Sequence, residues 1–505
     1  MLKVLDSEQS NLLDTLSIEN KIISESELID NAGKAIAYHI IENIEDPFNK
    51  SFLSIAGIGK NGLDAIAANY YLNLNNIHSE LLIIDSDKVK LKYVDKYISK
   101  KKIYTMKNIN SFEDFDWIIE GIFGTGLNKD IKGDFLQVME SLSSIKNVLS
   151  IDIPSGIYSS KGASSNIHIN AKETISFTYP KVGHFLSRGY AATGDLFTYP
   201  IGHSTTDINT KINLIDRSDI LDILKPLDPS VNKYIKGKVL SLSGSSQYTG
   251  AALLSGMGAI YSGTGLLKQI VPTSLHSIFS TNKESIDILL NDNRKGFLSM
   301  DNYKEIEDLF DWPDCFIIGP GLSPCKESVK LIEEILENFT GNCVLDASGF
   351  LSLSNFNEFG FSKLPQKTIL TPHYGELSKI LNISNNELRD NTIEILIDIS
   401  KKLEDRILVL KGPNTIIING NSEIRILSNG NQLLSTAGTG DVLTGMISAY
   451  VAAGYSLEES AIVASYIHAE CSNFFLKEGY ENISTSQIID LIPKVQFRLR
   501  ANYDT

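Results

Sequence analysis

Short apolar runs alternate with helix-patterned runs through most of the chain, and this alternation limits the fold more than any other feature. In the first half, SFLSIAG (51–57) reads as a buried strand, followed by the loop GIGKNG and the helix pattern LDAIAANYYLNL. HSELLIID, DWIIEGIFG and NVLSIDIPSG continue the strand series, and SELIDNAGKAIAYHII (26–41) precedes it as an amphipathic helix. Strands alternating with helices build βαβ units and a parallel sheet, so the expected class is α/β. Ligands of such sheets sit beyond the carboxyl ends of the strands. Three polar loops fall there: 57–64, 120–130 and 152–156.

These signals fade over 203–230, which places a boundary near 215 and predicts two domains, 1–215 and 216–505. A second α/β series opens with GKVLSLSGSSQYTGAALLSGMGAIYSGTGLL. It continues through CFIIGPGLS, NCVLDASG, TILTPHYGE and RILVLKGPNT to an apparent hairpin, TIIINGNSEIRIL. Hydrophobic residues make up 42% of the 505, enough for a core in each half. The net charge of −15 argues against nucleic acid as a partner. The lysine-rich run 88–102 reads as a solvated face. Four cysteines (Cys315, Cys325, Cys343 and Cys471) have neither metal-type nor redox spacing, and the histidines form no HxxxH pair. The N-terminus lacks a signal-peptide pattern and no apolar run is long enough to span a bilayer. The expectation is a cytoplasmic protein with no membrane partner.

LSTAGTGDVLTGMISAYVAAG (434–454) puts a glycine turn and an aspartate directly before an apolar stretch. Val442, Leu443, Met446, Ile447, Tyr450 and Val451 recur at a 3.6-residue period and predict an amphipathic helix. Gly438, Thr439, Gly440 and Asp441 then stand at its N-terminus, where unpaired N–H groups and the helix dipole favour an anion. Taken alone, these residues also fit an ordinary helix start. GIGKNG likewise matches G-x-G-x-x-G between a strand and a helix, with Asp85 at the end of the next strand. That pattern suits the dinucleotide turn of a hydride-transfer domain.

In order, the motifs are more specific. IDNAGKAIA, AGIGKNGLDAIAAN, IFGTGL with GDF, DIPSG and TYPKVGHFLSRGYAATGDL resemble the NAD(P)H-hydrate epimerase family. GSSQYTGAALLSGMGAIYSGTGL, GPGLS, VLDASG, TPHYGE, VLKGPNT and STAGTGDVLTG resemble the ADP/ATP-dependent NAD(P)H-hydrate dehydratases. The resemblance covers nearly the whole chain. It implies a Rossmann-like parallel-sheet domain followed by a ribokinase-like α/β domain. The implied activity is repair of NADH or NADPH hydrated at C6 of the nicotinamide ring. The first half would epimerise the R and S hydrates, and the second would dehydrate the S hydrate, with ADP giving AMP and phosphate. The choice of ADP over ATP rests on the epimerase-then-dehydratase order, which resembles the bacterial arrangement, and on no residue.

A kinase-like fold suits such a dehydration. The hydrate is a carbinolamine, and hydroxide is a poor leaving group. Phosphorylation turns it into phosphate, which the ring nitrogen lone pair expels. The site must bind a nucleotide's phosphates, stabilise the phosphoryl group and position the acceptor hydroxyl. By the resemblance, Asp441 accepts the hydroxyl proton. Gly438, Thr439 and Gly440 hold the nucleotide together with Lys411, Gly412, Pro413, Asn414 and Thr415 of KGPNT. Ala251, Gly321 and His373 meet the hydrate. Mg²⁺ is expected with the phosphates, whose charge requires it.

In the first half Asp152 is the candidate proton-transferring carboxylate. The family's dinucleotide contacts map onto Lys60, Asn61, Gly62, Leu63 and Asp64, onto Gly124, Thr125, Gly126, Leu127, Asn128, Lys129 and Asp130, and onto Asp152. Its K⁺ site maps onto Asn61, Glu120 and Ser155. Two departures stand out: the usual N-N-G-G-D-G reads KNGLDA here, and the usual aspartate four residues before GTG is Glu120. Leu63 in place of glycine predicts an obstructed ligand approach and a slower epimerase. Lys60 predicts a cation that pairs with the substrate pyrophosphate or competes with potassium. Plainer roles stay open: His373 as a structural histidine, Asp346 as a strand-end turn former and Glu376 as a helix cap. So do a small-alcohol kinase for the second half and a non-catalytic binding module for the first. A homo-oligomer is the expected assembly.

Overall fold

The computed structural model describes residues 1–85, 97, 103–104, 109, 111–204, 208–226, 228–353 and 360–501. Of the lysine-rich run 88–102, all but Tyr97 lies outside the described residues. The chain forms two compact units: Leu2–Ile212 with Arg389–Thr392, and Asn213–Leu388 with Ile393–Thr505.

The first unit is built on a seven-stranded parallel sheet. Its spatial order is Ile103–Tyr104, Ser79–Ile83, Phe52–Ala56, Trp117–Gly121, Val148–Ile151, Glu173–Phe177 and Asp195–Tyr199. Phe52–Ala56, Trp117–Gly121 and Val148–Ile151 are buried at every position, as continuous apolar runs in a two-sided parallel sheet require. The strand order reverses between Phe52–Ala56 and Trp117–Gly121, and such a switch point opens a crevice beyond the strand ends. The helix expected at 26–41 runs Glu25–Asn43, started by a Ser24–Glu27 capping box. It lies against the helix Lys60–Leu74, and a Cβ on Gly33 would come within 2.6 Å of Ala67 Cβ. The last two strands, and the helix Ser7–Glu19 with its Asp6–Gln9 capping box, are absent from the sequence reading.

The second unit carries another largely parallel sheet. From one edge its strands are Ile286–Leu290, Leu266–Pro272, Lys238–Leu242, Cys315–Ile318, Cys343–Leu345, Thr368–Leu370 and Ile407–Leu410, all parallel. The expected hairpin, Thr415–Ile418 with Ile424–Leu427, continues the sheet antiparallel. The helix after GTGD spans Thr439–Ala452 but is not amphipathic. Thr444, Gly445, Ser448 and Ala449 are buried along with the apolar positions. The cause is close packing against the helix Thr249–Tyr261. A Cβ on Gly445 would stand 2.0 Å from Ser255 O, and one on Gly258 2.4 Å from Val442 O.

Candidate active sites

In the second unit five strand ends are tied together. Gly244 N donates to Pro320 O (2.8 Å), Ser245 Oγ to Gly321 O (2.9 Å) and Lys411 N to Pro372 O (2.8 Å). Asp346, at the end of Cys343–Leu345, is 1% exposed and holds the centre. Its Oδ1 pairs with Lys411 Nζ (2.8 Å), and its Oδ2 accepts from Thr444 Oγ1 (2.7 Å) on the GTGD helix. The sequence offered Asp346 only as a turn former, because these partners lie 65 and 98 positions away.

Gly438 caps that helix with φ +91°, a left-handed conformation that favours glycine. A Cβ on Gly440 would lie 3.2 Å from Lys411 Nζ, so glycine there lets the ammonium reach the helix start. Burial, followed by the neighbouring Asp346 carboxylate, pushes Asp441 up to about 7 against the pull of Lys411. Burial opposes the charge on Lys411, but Asp346, Glu376 and Asp441 raise its pKa above the usual value. The result is a half-buried carboxylate of near-neutral pKa, a lysine and a helix N-terminus at one place. That set suits proton removal beside an anion.

The remaining expected residues fall around this centre with their own local duties. Gly321 (φ +64°) abuts Ala251: a Cβ on it would sit 2.9 Å from Ala251 Cβ. His373 caps the helix Tyr374–Leu381, accepting at Nδ1 from Gly375 N (3.0 Å) and Glu376 N (3.2 Å). Glu376 Oε2 in turn accepts from His373 N (2.8 Å). The helix-cap reading of Glu376 therefore holds, and the His373 ring edge stays exposed. Thr439 turns its hydroxyl back onto Leu434 O (2.9 Å). In KGPNT, Gly412 lies against the Tyr374 ring, Pro413 is exposed, Asn414 is buried and Thr415 begins the hairpin. Behind the turn, buried His468 is pushed down to about 4, chiefly by burial.

In the first unit a cavity of about 410 Å³ opens at the switch point. Lys60, Asn61, Asp64, Gly124, Thr125, Gly126, Leu127, Asn128, Lys129 and Asp152 line it. Gly62, Leu63, Asp130, Glu120 and Ser155 do not. Leu63 corrects the sequence reading. The helix begins at Lys60, so Leu63 falls within its first turn, 5% exposed in the core with Leu28 and Ile29, and its φ is not positive. Its side chain packs into the core and does not line the cavity. Gly62 serves packing, since a Cβ there would stand 2.0 Å from Gly57 O. Lys60 lines the cavity, and its Nζ pairs with Asp14 Oδ2 (2.8 Å), whose other oxygen binds His203 Nε2 (2.8 Å).

Asp152 sits at φ +66°, strained for a non-glycine residue. Its carboxylate forms a short ion pair with Lys181, which is 2% exposed and also donates to Ser176 Oγ (3.0 Å). His184 accepts from Lys181 N (3.0 Å) and donates to Asp152 O (2.9 Å). Burial and Lys181 push its pKa down to about 3, so it stays neutral. Asp64 lines the same cavity, held well above the usual carboxylate range by burial and then by Asp152 and Asp14. Lys181 and His184 lie inside the TYPKVGH motif but were not singled out. Nothing local links them to an aspartate about thirty positions earlier.

The residues expected to hold potassium do not fit an ion. Glu120, Ser155 and Asn61 are hydrogen-bonded to one another's surroundings, with the Glu120 carboxylate fully engaged. Among the described residues no group of three or more His, Cys, Asp or Glu side chains is arranged to hold a metal. Nor is any helix among them long and apolar enough to cross a membrane.

Comparison with known proteins follows this division. The bifunctional NAD(P)H-hydrate repair enzyme Nnr of Dictyoglomus turgidum is 28% identical over 97% of this chain and 98% of its own length. The enzyme of the same name from Thermofilum pendens is 26% identical over 100% and 98%. A ribokinase-like superfamily protein of Enterococcus faecalis superposes with a TM-score of 0.50 at 20% identity, covering 59% of this chain and 99% of its own. That likeness gives the second unit a ribokinase-like fold. Residues 25–183 match the YjeF-related protein N-terminus. Residues 239–494, just over half of the chain, match NAD(P)H-hydrate dehydratase, and the chain belongs to that family.

Proposed function

We propose how each unit contributes to one repair. The chain is a bifunctional enzyme that restores hydrated NADH and NADPH: the first unit epimerises the hydrates and the second dehydrates the S form. The observation that carries the second activity is Asp441, shifted to about 7 beside Lys411 at a helix N-terminus. In this mechanism ADP is the phosphoryl donor. The helix start and Lys411 stabilise the transferring phosphoryl group, and Asp441 takes the proton from the C6 hydroxyl. The ring nitrogen lone pair then expels phosphate to give an iminium, and loss of a proton from C5 leaves NAD(P)H, with AMP and phosphate as the other products. Ala251, Gly321 and the exposed edge of His373 orient the hydrate. The residues suit a magnesium ion held mainly by phosphate oxygens and water, which needs no protein cage.

In the first unit the dinucleotide lies along 124–129 and Lys60. Asp64, kept protonated, supplies a proton while Asp152, held by Lys181, accepts one as the C6 centre opens and recloses. Burial holds Asp64 well above the usual carboxylate range while Asp152 is ion-paired to Lys181, which suits the one as acid and the other as base.

The test is to give purified protein both hydrate epimers, magnesium and ADP or ATP. Complete recovery of the reduced-nicotinamide absorbance, with AMP and phosphate released from ADP, supports the reading. Recovery with ATP alone overturns the choice of donor. A stable phosphorylated product without recovery would make the second unit a small-alcohol kinase.

A further inference from the structure

The residues onto which a potassium site would map are hydrogen-bonded to one another and to the backbone around them. Glu120 lies mid-sheet in Trp117–Gly121 and is 0% exposed. Its Oε1 accepts from Ser150 Oγ (2.5 Å) and Ser155 N (3.0 Å), and its Oε2 from Ser155 Oγ (2.6 Å) and Ile122 N (3.2 Å). A carboxylate has about four lone-pair sites, so none is left for a cation.

Asn61 closes the other side. Its Nδ2 lies 2.9 Å from Phe123 O and 2.7 Å from Ile151 O. An amide atom facing two carbonyls must be the donor. Both amide hydrogens therefore stand where a cation would meet those oxygens. The extra methylene of glutamate is what lets the carboxylate span Ser150 and Ser155. An aspartate would be drawn back by one carbon–carbon bond, about 1.5 Å, and would leave a gap lined by oxygen atoms.

We propose that Glu120 and Asn61 replace the potassium ion in this chain, so that the first unit folds, binds hydrate and epimerises it with no monovalent cation. The last clause rests on the epimerase reading above, while the cation replacement does not.

The experiment uses the full-length protein exchanged into tetramethylammonium chloride and titrated with KCl, against NaCl at equal ionic strength. Epimer interconversion, the thermal midpoint and thallium(I) binding by ²⁰⁵Tl NMR are followed. For the wild type, rate and midpoint should be the same in all three salts and no thallium should bind. For Glu120→Asp, the midpoint should fall in tetramethylammonium. Potassium at a hundredfold excess over Kd should then raise it by roughly 5–10 °C. A saturable, potassium-specific rise in the wild-type midpoint, or one thallium bound, would overturn the proposal. So would a folded Glu120→Asp protein indifferent to potassium. If that variant does not fold, the wild-type titration decides alone. Absence of epimerisation in every salt would sink the epimerase reading and leave the midpoint and thallium data to judge the cation.

Discussion

Glu120 in the first unit and Asp441 in the second are both pushed up to about 7, and for both the largest cause is burial. Their surroundings separate them. Glu120 receives four hydrogen bonds from Ser150, Ser155 and Ile122 and has no exposed surface. The other influences on Asp441 are charges, Asp346 and Glu376 against Lys411, and it stands half-buried at a helix start. A raised pKa therefore does not by itself mark a catalytic group. What matters is whether the carboxylate still has an oxygen free for substrate. Glu120 reads as structural and Asp441 as poised.

The largest effect that would break this contrast is at Asp441. Asp441→Asn should cut dehydration by about 10²–10⁴-fold while nucleotide affinity, read by calorimetry, stays near wild type. Stability should move the other way. The folded carboxylate titrates at about 7 instead of 3.8, so between those values the folded state binds more protons and loses stability as pH rises. Asp441→Asn should melt above wild type at pH 8 and show no such gain below pH 4. A lower midpoint at pH 8 would mean the carboxylate supports the fold.

Next in size is Leu63. Removing its buried side chain and placing glycine in a helix should cost about 3–5 kcal/mol. Leu63→Gly should lower the first unit's melting transition and leave epimerisation no faster. A faster variant would restore the view that this side chain blocks the ligand. A smaller effect is expected at Gly440. An alanine there meets only the flexible end of Lys411, at 3.2 Å, and a displacement of a few tenths of an ångström should slow dehydration by less than about tenfold. A loss as large as that of Asp441→Asn would show that the turn itself, not the carboxylate, dominates.

How far the sequence spoke for the molecule follows from where the physics is local. Phe52–Ala56 and Cys315–Ile318 were legible because strands buried on both faces are continuous apolar runs. The helix Ser7–Glu19 was also legible in principle, through the capping box of Asp6 and Gln9, but its weak apolar pattern hid it. The buried second face of Thr439–Ala452 was not legible: Thr444, Gly445 and Ser448 look polar or neutral, and only the approach of Gly258 and Ser255 covers them. Motif spacing put Leu63 at the ligand, yet the helix starts three residues earlier and rotates it inward. At the sites, Asp441 and Asp152 could be singled out from their motifs. Asp346, which neighbours Asp441 and pairs with Lys411, and Lys181, which pairs with Asp152, are set by tertiary contacts.

The most direct test is the pH dependence of kcat/KM for dehydration, which reports ionisations of the free enzyme. A base must be unprotonated to act. The rate should therefore rise about tenfold per pH unit below 7 and level off above it, and Asp441→Asn should abolish that limb in its residual activity. A wild-type profile flat from pH 5 to 8, or an unchanged limb in Asp441→Asn, would contradict the assignment of Asp441 as the base.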